Sequence, residues 1–318
     1  MHVDSQGLRD HLVACLPSLV IEEVAAQSGQ RVVYIGRFED ARIPPDVPPP
    51  ADGKPGFLHG WESWGRIVVK VVAGASADAL TRLQAETAIL EELRPVNFPS
   101  LRFYNLFIEN PVTDEPLPQN LYVSIEGFVE STPLSRIMAN FHGKPDAVGR
   151  LCLGIANALM PLWVHPKRFV HRDIKPDNIL IKPDGEVVVI DLGIVRETGG
   201  AGITQDGWGK APLTLDYAAP EQIQNDKDAI SFKTDFFALG ILMYVLISGR
   251  HPFHTNPEMN NFELAEAIEK CKSATLLDLG AADAEVSGFV QSLMSQAPYM
   301  RPRTPAVLLE GLQKISLG

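Results

Sequence analysis

Apolar positions change their spacing along the chain, and each spacing predicts an element. Leu8, Leu12 and Leu16 recur every four residues, so residues 5–16 read as a short helix or as a frayed terminal segment. From Leu19 the pattern becomes that of strands: LVIEEVAAQSGQRVVYIGRF predicts a hairpin turning at Ser28-Gly29-Gln30. Residues 40–65 break it with six prolines and four glycines, an extended loop of polyproline character. Arg66 to Val72 is a buried-type strand with Lys70 in its middle, a charge that needs a partner there. ADALTRLQAETAILEELR then predicts a helix with Leu80, Leu83, Leu90 and Leu93 on one stripe. LRFYNLFIEN and NLYVSIEGFVE are two more strands, with a polar loop at 110–120 between them. A long helix from Ala147, a hairpin over 179–190 turning at Asp184-Gly185, a buried helix in KTDFFALGILMYVLISGRHPF and one closing helix after Arg301 complete the pattern.

Composition narrows the reading. A chain of 318 residues with 45% hydrophobic content suggests about two domains or lobes with real cores. A net charge of −11 argues against a nucleic-acid or anionic-membrane surface. Cys15, Cys152 and Cys271 are odd in number and far apart, which fits neither a disulfide framework nor a zinc site and suits a reducing, cytoplasmic setting. The N-terminus lacks the basic start and long apolar run of a signal peptide, and the apolar run Phe236–Ser248 is too short to span a bilayer, so a soluble protein is expected.

The chemistry concentrates in His171-Arg172-Asp173-Ile174-Lys175-Pro176-Asp177-Asn178. Asp191-Leu192-Gly193 follows Asp173 by 18 residues, and Ala219-Pro220-Glu221, Asp235 and Arg301 come after in order. This set resembles the catalytic loop, D-F-G, A-P-E and bracing residues of the eukaryotic-type (Hanks-type) serine/threonine protein kinase family, over roughly residues 18–315. The resemblance implies an α+β, two-lobed protein kinase fold: a small antiparallel β lobe with one helix at 18–128, and a larger, mainly helical lobe at 129–318. Residues 1–17 would be an N-terminal extension. ATP and Mg2+ would lie between the lobes, and a protein serine or threonine would receive the γ-phosphoryl group.

The residue roles follow from the resemblance. Asp173 would orient the substrate hydroxyl and accept its proton, and Lys175 would offset developing charge. Asn178 and Asp191 would hold the metal. Lys70 would meet the nucleotide phosphates with Glu86, 16 residues on, as its partner. Gly29, Val33, Val68, Ile125, Glu126, Phe128 and Leu180 would surround the nucleotide. Ile125 would flank the back pocket, and the backbone of Glu126 to Phe128 would bond adenine. Lys175 two residues after Asp173 points to serine or threonine acceptors; tyrosine kinases usually carry A-A-R there. Asp235 would hold the catalytic-loop backbone, Arg301 would pair with Glu221, and Thr214 would brace Asp173 and Lys175. Thr204 is the expected autophosphorylation site, facing Arg172.

Departures from the family pattern keep other readings open. Ala26, Ser28 and Arg31 stand where glycines usually cover the phosphates, and Val68 replaces the usual alanine. A nucleotide-binding pseudokinase scaffold is one alternative, and a small-molecule kinase is another. The insertion at 40–65 reads as a tolerated surface loop or as a docking segment for a regulatory protein. Trp61 and Trp64 would then anchor it to the lobe or to a partner.

Overall fold

The predicted hairpin extends into a five-stranded sheet. The computed structural model describes residues 4–28, 31–39, 61–192, 196–197, 215–254, 256, 258–271 and 284–317, with the backbone alone at 28, 78, 82, 196 and 197. Gly29, most of the insertion (40–60), Gly193, Thr204 and Thr214 lie outside these residues. The chain divides into two compact units, residues 1–94 with 99–129, and residues 95–98 with 130–318.

In the first unit, β1 (Leu19–Ser28), β2 (Arg31–Phe38), β3 (Ile67–Ala73), β4 (Leu101–Glu109) and β5 (Pro116–Gly127) form an antiparallel sheet in the order β1-β2-β3-β5-β4. Alternation along each strand gives the sheet two faces. Val32, Tyr34, Val69, Val71, Val123 and Ile125 share one core with Leu8, Leu12 and Cys15 of α1 (Gln6–Cys15). Val72 and Tyr122 pack with Leu80 and Leu83 of α2 (Ala77–Leu93). The terminal leucines thus form a helix, not a frayed end, and add a second helix to this unit. A ten-residue helix is marginal by itself, so burial decides. Leu8, Leu12 and Leu16 are all buried, and each contributes about 1.5–3 kcal/mol. Ser5 caps the helix by accepting from the Leu8 N–H, and Asp4 bonds both Arg9 and the Tyr34 hydroxyl (2.8 Å).

Trp61 and Trp64 stack on each other at 4.4 Å and pack on Phe38, with Trp61 also on Phe103. The end of the insertion is therefore anchored to its own lobe. Gly36 is required by close approach: a Cβ there would lie 2.4 Å from the Val20 carbonyl oxygen.

In the second unit, β6 (Thr132–Pro133) leads to α3 (Pro145–Val164) and β7 (Phe169–Val170). The predicted hairpin is β8 (Ile179–Ile181) and β9 (Val187–Val189), with Gly185 at φ +88 in its turn; β10 (Arg196–Glu197) pairs with β7. The helices α4 (Pro220–Ile223), α5 (Phe232–Ser248), α6 (Asn261–Glu269), α7 (Ala284–Leu293) and α8 (Pro305–Leu317) follow. α3 is long and apolar enough to match a bilayer by composition, yet its apolar side is core, packed on α5 and α8. Gly149 permits the α8 contact, since a Cβ there would meet the Ser316 nitrogen at 2.9 Å. Cys15, Cys152 and Cys271 are free thiols.

Candidate active site

The candidate residues form two groups, one in each unit. In the second unit, α3 and β7 deliver the chain to His171. The fully buried Asp235, in the first turn of α5, accepts from the backbone N–H of His171 (3.0 Å) and of Arg172 (2.8 Å), and from Trp163 Nε1 (2.8 Å). Burial pushes its carboxyl up, against the downward pull of the bonds from Trp163 and the backbone. Arg172 sits at φ +69, a region that non-glycine residues rarely enter. Its N–H is held by Asp235, and its carbonyl accepts from Gln222 Nε2 at 2.9 Å.

That turn presents Asp173. Its Oδ2 accepts from Lys175 Nζ (2.7 Å) and from Asn178 Nδ2 (2.9 Å), so the three residues form one cluster. The Asp173 N–H donates to His171 Nδ1, which places the ring proton on Nε2, and that nitrogen donates to the Ile190 carbonyl (3.3 Å). The Ile190 N–H donates to the Asn178 carbonyl (2.9 Å). These two bonds fix the residue before Asp191, which has φ +66.

Asn178 commits its amide nitrogen to Asp173, leaving its side-chain oxygen as an acceptor. One amide oxygen and the Asp191 carboxylate fit magnesium, which takes oxygen ligands and leaves places for phosphate and water. Among the described residues no cluster of three or more His, Cys, Asp and Glu makes a metal site by itself. Leu180 is half-buried on β8, opposite Val188 and Pro133.

Glu221 and Arg301 form a buried two-pronged pair at 2.6 and 2.8 Å, and Thr234 Oγ1 donates to Glu221 Oε1 (2.8 Å). The remaining Arg301 donors reach the carbonyls of Ser295, Lys233 and Gln296, and its guanidinium lies over the Phe237 ring. The A-P-E segment is thus braced on one side by Arg301 and tied to the catalytic loop by Gln222.

In the first unit, Lys70 lies opposite Val33 on β2 and Ser124 on β5, and Val68 lies opposite Glu126. Residues paired across antiparallel strands share a face. Lys70 Nζ is 2.6 Å from Glu126 Oε1 and 3.8 Å from Glu86 Oε1. Glu86 is near enough for an ion pair but beyond hydrogen-bond length. Arg31 Nη2 is also 3.8 Å from Glu86. α2, which carries Glu86, is tied to β5 by Thr87 and the Tyr122 hydroxyl (2.8 Å); burial pushes that phenol up to about 12.

Two expectations change here. Ile125 does not flank the face of Lys70; it lies in the core on the α1 side of the sheet, and Glu126 takes the Lys70 face. The reason is that β5 stays paired with β3 as far as Gly127, opposite Ile67, so strict alternation continues through Glu126. The backbone N–H groups of Gly127 and Phe128 are already spent, on the carbonyls of Ser100 (2.9 Å) and Arg66 (3.2 Å), which removes them as donors to adenine. The Phe128 ring lies under the Arg66 guanidinium.

The β-sheet unit carries a paired lysine, and the helical unit carries the Asp173–Lys175–Asn178 cluster. Residues 62–310 match the protein kinase domain family, and the chain belongs to that family. It is similar to serine/threonine-protein kinase C of Synechocystis, 31% identical over 191 residues, covering 58% of this chain and 32% of the relative. It is also similar to dual specificity protein kinase FUZ7 of Mycosarcoma maydis, 29% identical over 236 residues, covering 70% of this chain and 49% of the relative. Human serine/threonine-protein kinase 16 is 28% identical over 182 residues, 54% of this chain and 58% of that protein. The chain spans between about a third and three fifths of the length of these relatives.

Proposed function

We propose that this protein kinase transfers the γ-phosphoryl group of ATP, with magnesium, to serine or threonine hydroxyls of protein substrates. The observation that carries this reading is the bracketing of Asp173 by Lys175 and Asn178. Both bonds fall on Oδ2, so Oδ1 is the oxygen assigned to the substrate hydroxyl. As the substrate's hydroxyl oxygen bonds to the γ-phosphorus, its proton passes to Asp173 Oδ1, the bond from that phosphorus to the β–γ bridging oxygen breaks and ADP leaves. Lys175 offsets charge on the transferring group. Asn178 and Asp191 would hold magnesium, which neutralises phosphate charge when bound. Lys70 is the cation of the first unit assigned to the nucleotide phosphates.

Lys175 supports serine and threonine as acceptors. The partners in this reading are a protein substrate and a regulatory protein at the Pro-rich insertion; the net charge of −11 argues against a nucleic-acid or anionic-membrane surface. The separated cysteines support a cytoplasmic location.

One observation favours a second reading, a nucleotide-binding scaffold without turnover: Lys70 is nearer Glu126 than Glu86. Labelled ATP, magnesium and a generic protein substrate separate the two. The kinase reading expects label on serine or threonine, and a loss of about 10²–10⁴-fold in Asp173→Asn with an unchanged melting temperature. ATP binding with no transfer establishes the scaffold, and wild-type turnover in Asp173→Asn overturns the role of that residue.

A further inference from the structure

Four charges lie in sequence on one face of the first unit: Arg31, Glu86, Lys70 and Glu126. Each neighbouring pair is within 3.8 Å, and the last is at 2.6 Å. Glu126 reaches Lys70 because the two are diagonal neighbours across β3 and β5, a separation that long side chains bridge. Ser124, directly opposite Lys70, carries no charge to hold it. Both members of the close pair are shielded from water, with 11% of the Lys70 side chain and 5% of the Glu126 side chain exposed, so screening by solvent and salt is weak. Glu86 is shared with Arg31, whereas Lys70 is the only cation within ion-pair distance of Glu126 among the described residues.

We propose that Glu126 competes with nucleotide phosphate for Lys70 and so sets nucleotide affinity. It is a positioning residue: it acts by fixing where the Lys70 ammonium points. The inference rests on the assignment of Lys70 to the phosphates. With Glu126 ionised the four-charge row is neutral, and a polyanion arriving at Lys70 must displace or approach a carboxylate. Without that charge the row is singly positive, and Lys70 can turn wholly to Glu86.

Glu126→Gln removes the charge while keeping the size and an oxygen that can accept from Lys70. Two readouts are needed: acetic anhydride labelling of Lys70 without nucleotide, followed by mass spectrometry, and the dissociation constant of magnesium–ATP by calorimetry. The proposal expects more labelling and ATP binding about tenfold tighter, the effect of one nearby like charge removed. Glu86→Gln also leaves the row singly positive, but it leaves Lys70 held by Glu126 at 2.6 Å, so it should not tighten ATP binding. If Glu126→Gln does not fold, Glu126→Asp, which draws the carboxylate back, should shift both readouts in the same direction as the Gln change. Equal or weaker ATP binding in the Glu126 variants overturns the competition and leaves the kinase reading standing. No ATP binding by wild type or any variant overturns both, whatever the labelling shows.

Discussion

Arg301→Met should lower the melting temperature of the protein by about 10 °C. Arg301 is fully buried; its five donors reach both Glu221 oxygens and the carbonyls of Ser295, Lys233 and Gln296. Methionine fills much of the volume and can still lie on Phe237, so packing loss is small. What remains is a carboxylate with only Thr234 to bond it, together with three carbonyls without their arginine donor. Removing one partner of a buried pair costs about 3–5 kcal/mol. At about 2–4 °C per kcal/mol for a unit of this size, a shift near 10 °C follows. Glu221→Gln in the same chain removes the stranded charge, and its amide oxygen can still accept from Thr234. The double variant should therefore recover roughly half of the loss, with the orphaned carbonyls keeping the rest. Thermal melts followed by near-ultraviolet circular dichroism measure both. A single variant within about 2 °C of wild type, or a double variant no more stable than the single, refutes the argument.

Gly36→Ala should destabilise the first unit by about 1–3 kcal/mol, because the new methyl meets the Val20 carbonyl oxygen at 2.4 Å and β1 must move; a melt indistinguishable from wild type counts against this. Asp4→Asn should reveal a pH-dependent contribution. The bond from Arg9 holds the folded Asp4 carboxyl below its ordinary value of 3.8, so its stabilisation is present above that value and lost as pH falls through the depressed one. The gap in melting temperature between wild type and Asp4→Asn should stay constant down to the ordinary carboxylate range and close below it, and a gap indifferent to acid refutes the linkage.

Much of the second unit was legible because its residues act through chemistry that few others can supply. A buried aspartate at the start of an apolar helix has to find donors, and Asp235 finds two backbone N–H groups and an indole. Glu221 and Arg301, 80 residues apart, are each too costly to bury alone, and the pairing that the family resemblance implied removes that cost. The hairpin turn at Asp184-Gly185 carries its own backbone signature, the positive φ of Gly185. Gln222 left no such trace. It is an uncharged side chain whose importance lies in reaching the carbonyl of a residue 50 positions away, and nothing in its local pattern marks that reach.

The first unit was less legible for a different reason. The period of a strand is two, so the run Tyr122-Val-Ser-Ile-Glu126 states which residues share a face but not which face belongs to Lys70. The family resemblance gave Ile125 to that face; the pairing of Lys70 with Ser124 and of Val68 with Glu126 gives it Glu126 instead. A buried glutamate in a strand is costly unless it meets a cation. Glu126 lies two positions along the strand from the residue opposite Lys70, within reach of the only lysine in β3, so the cost itself contained the signal. The same reasoning that demanded a partner for Lys70 applied with equal force to Glu126, and joining the two demands would have set the register of β3 against β5 from sequence.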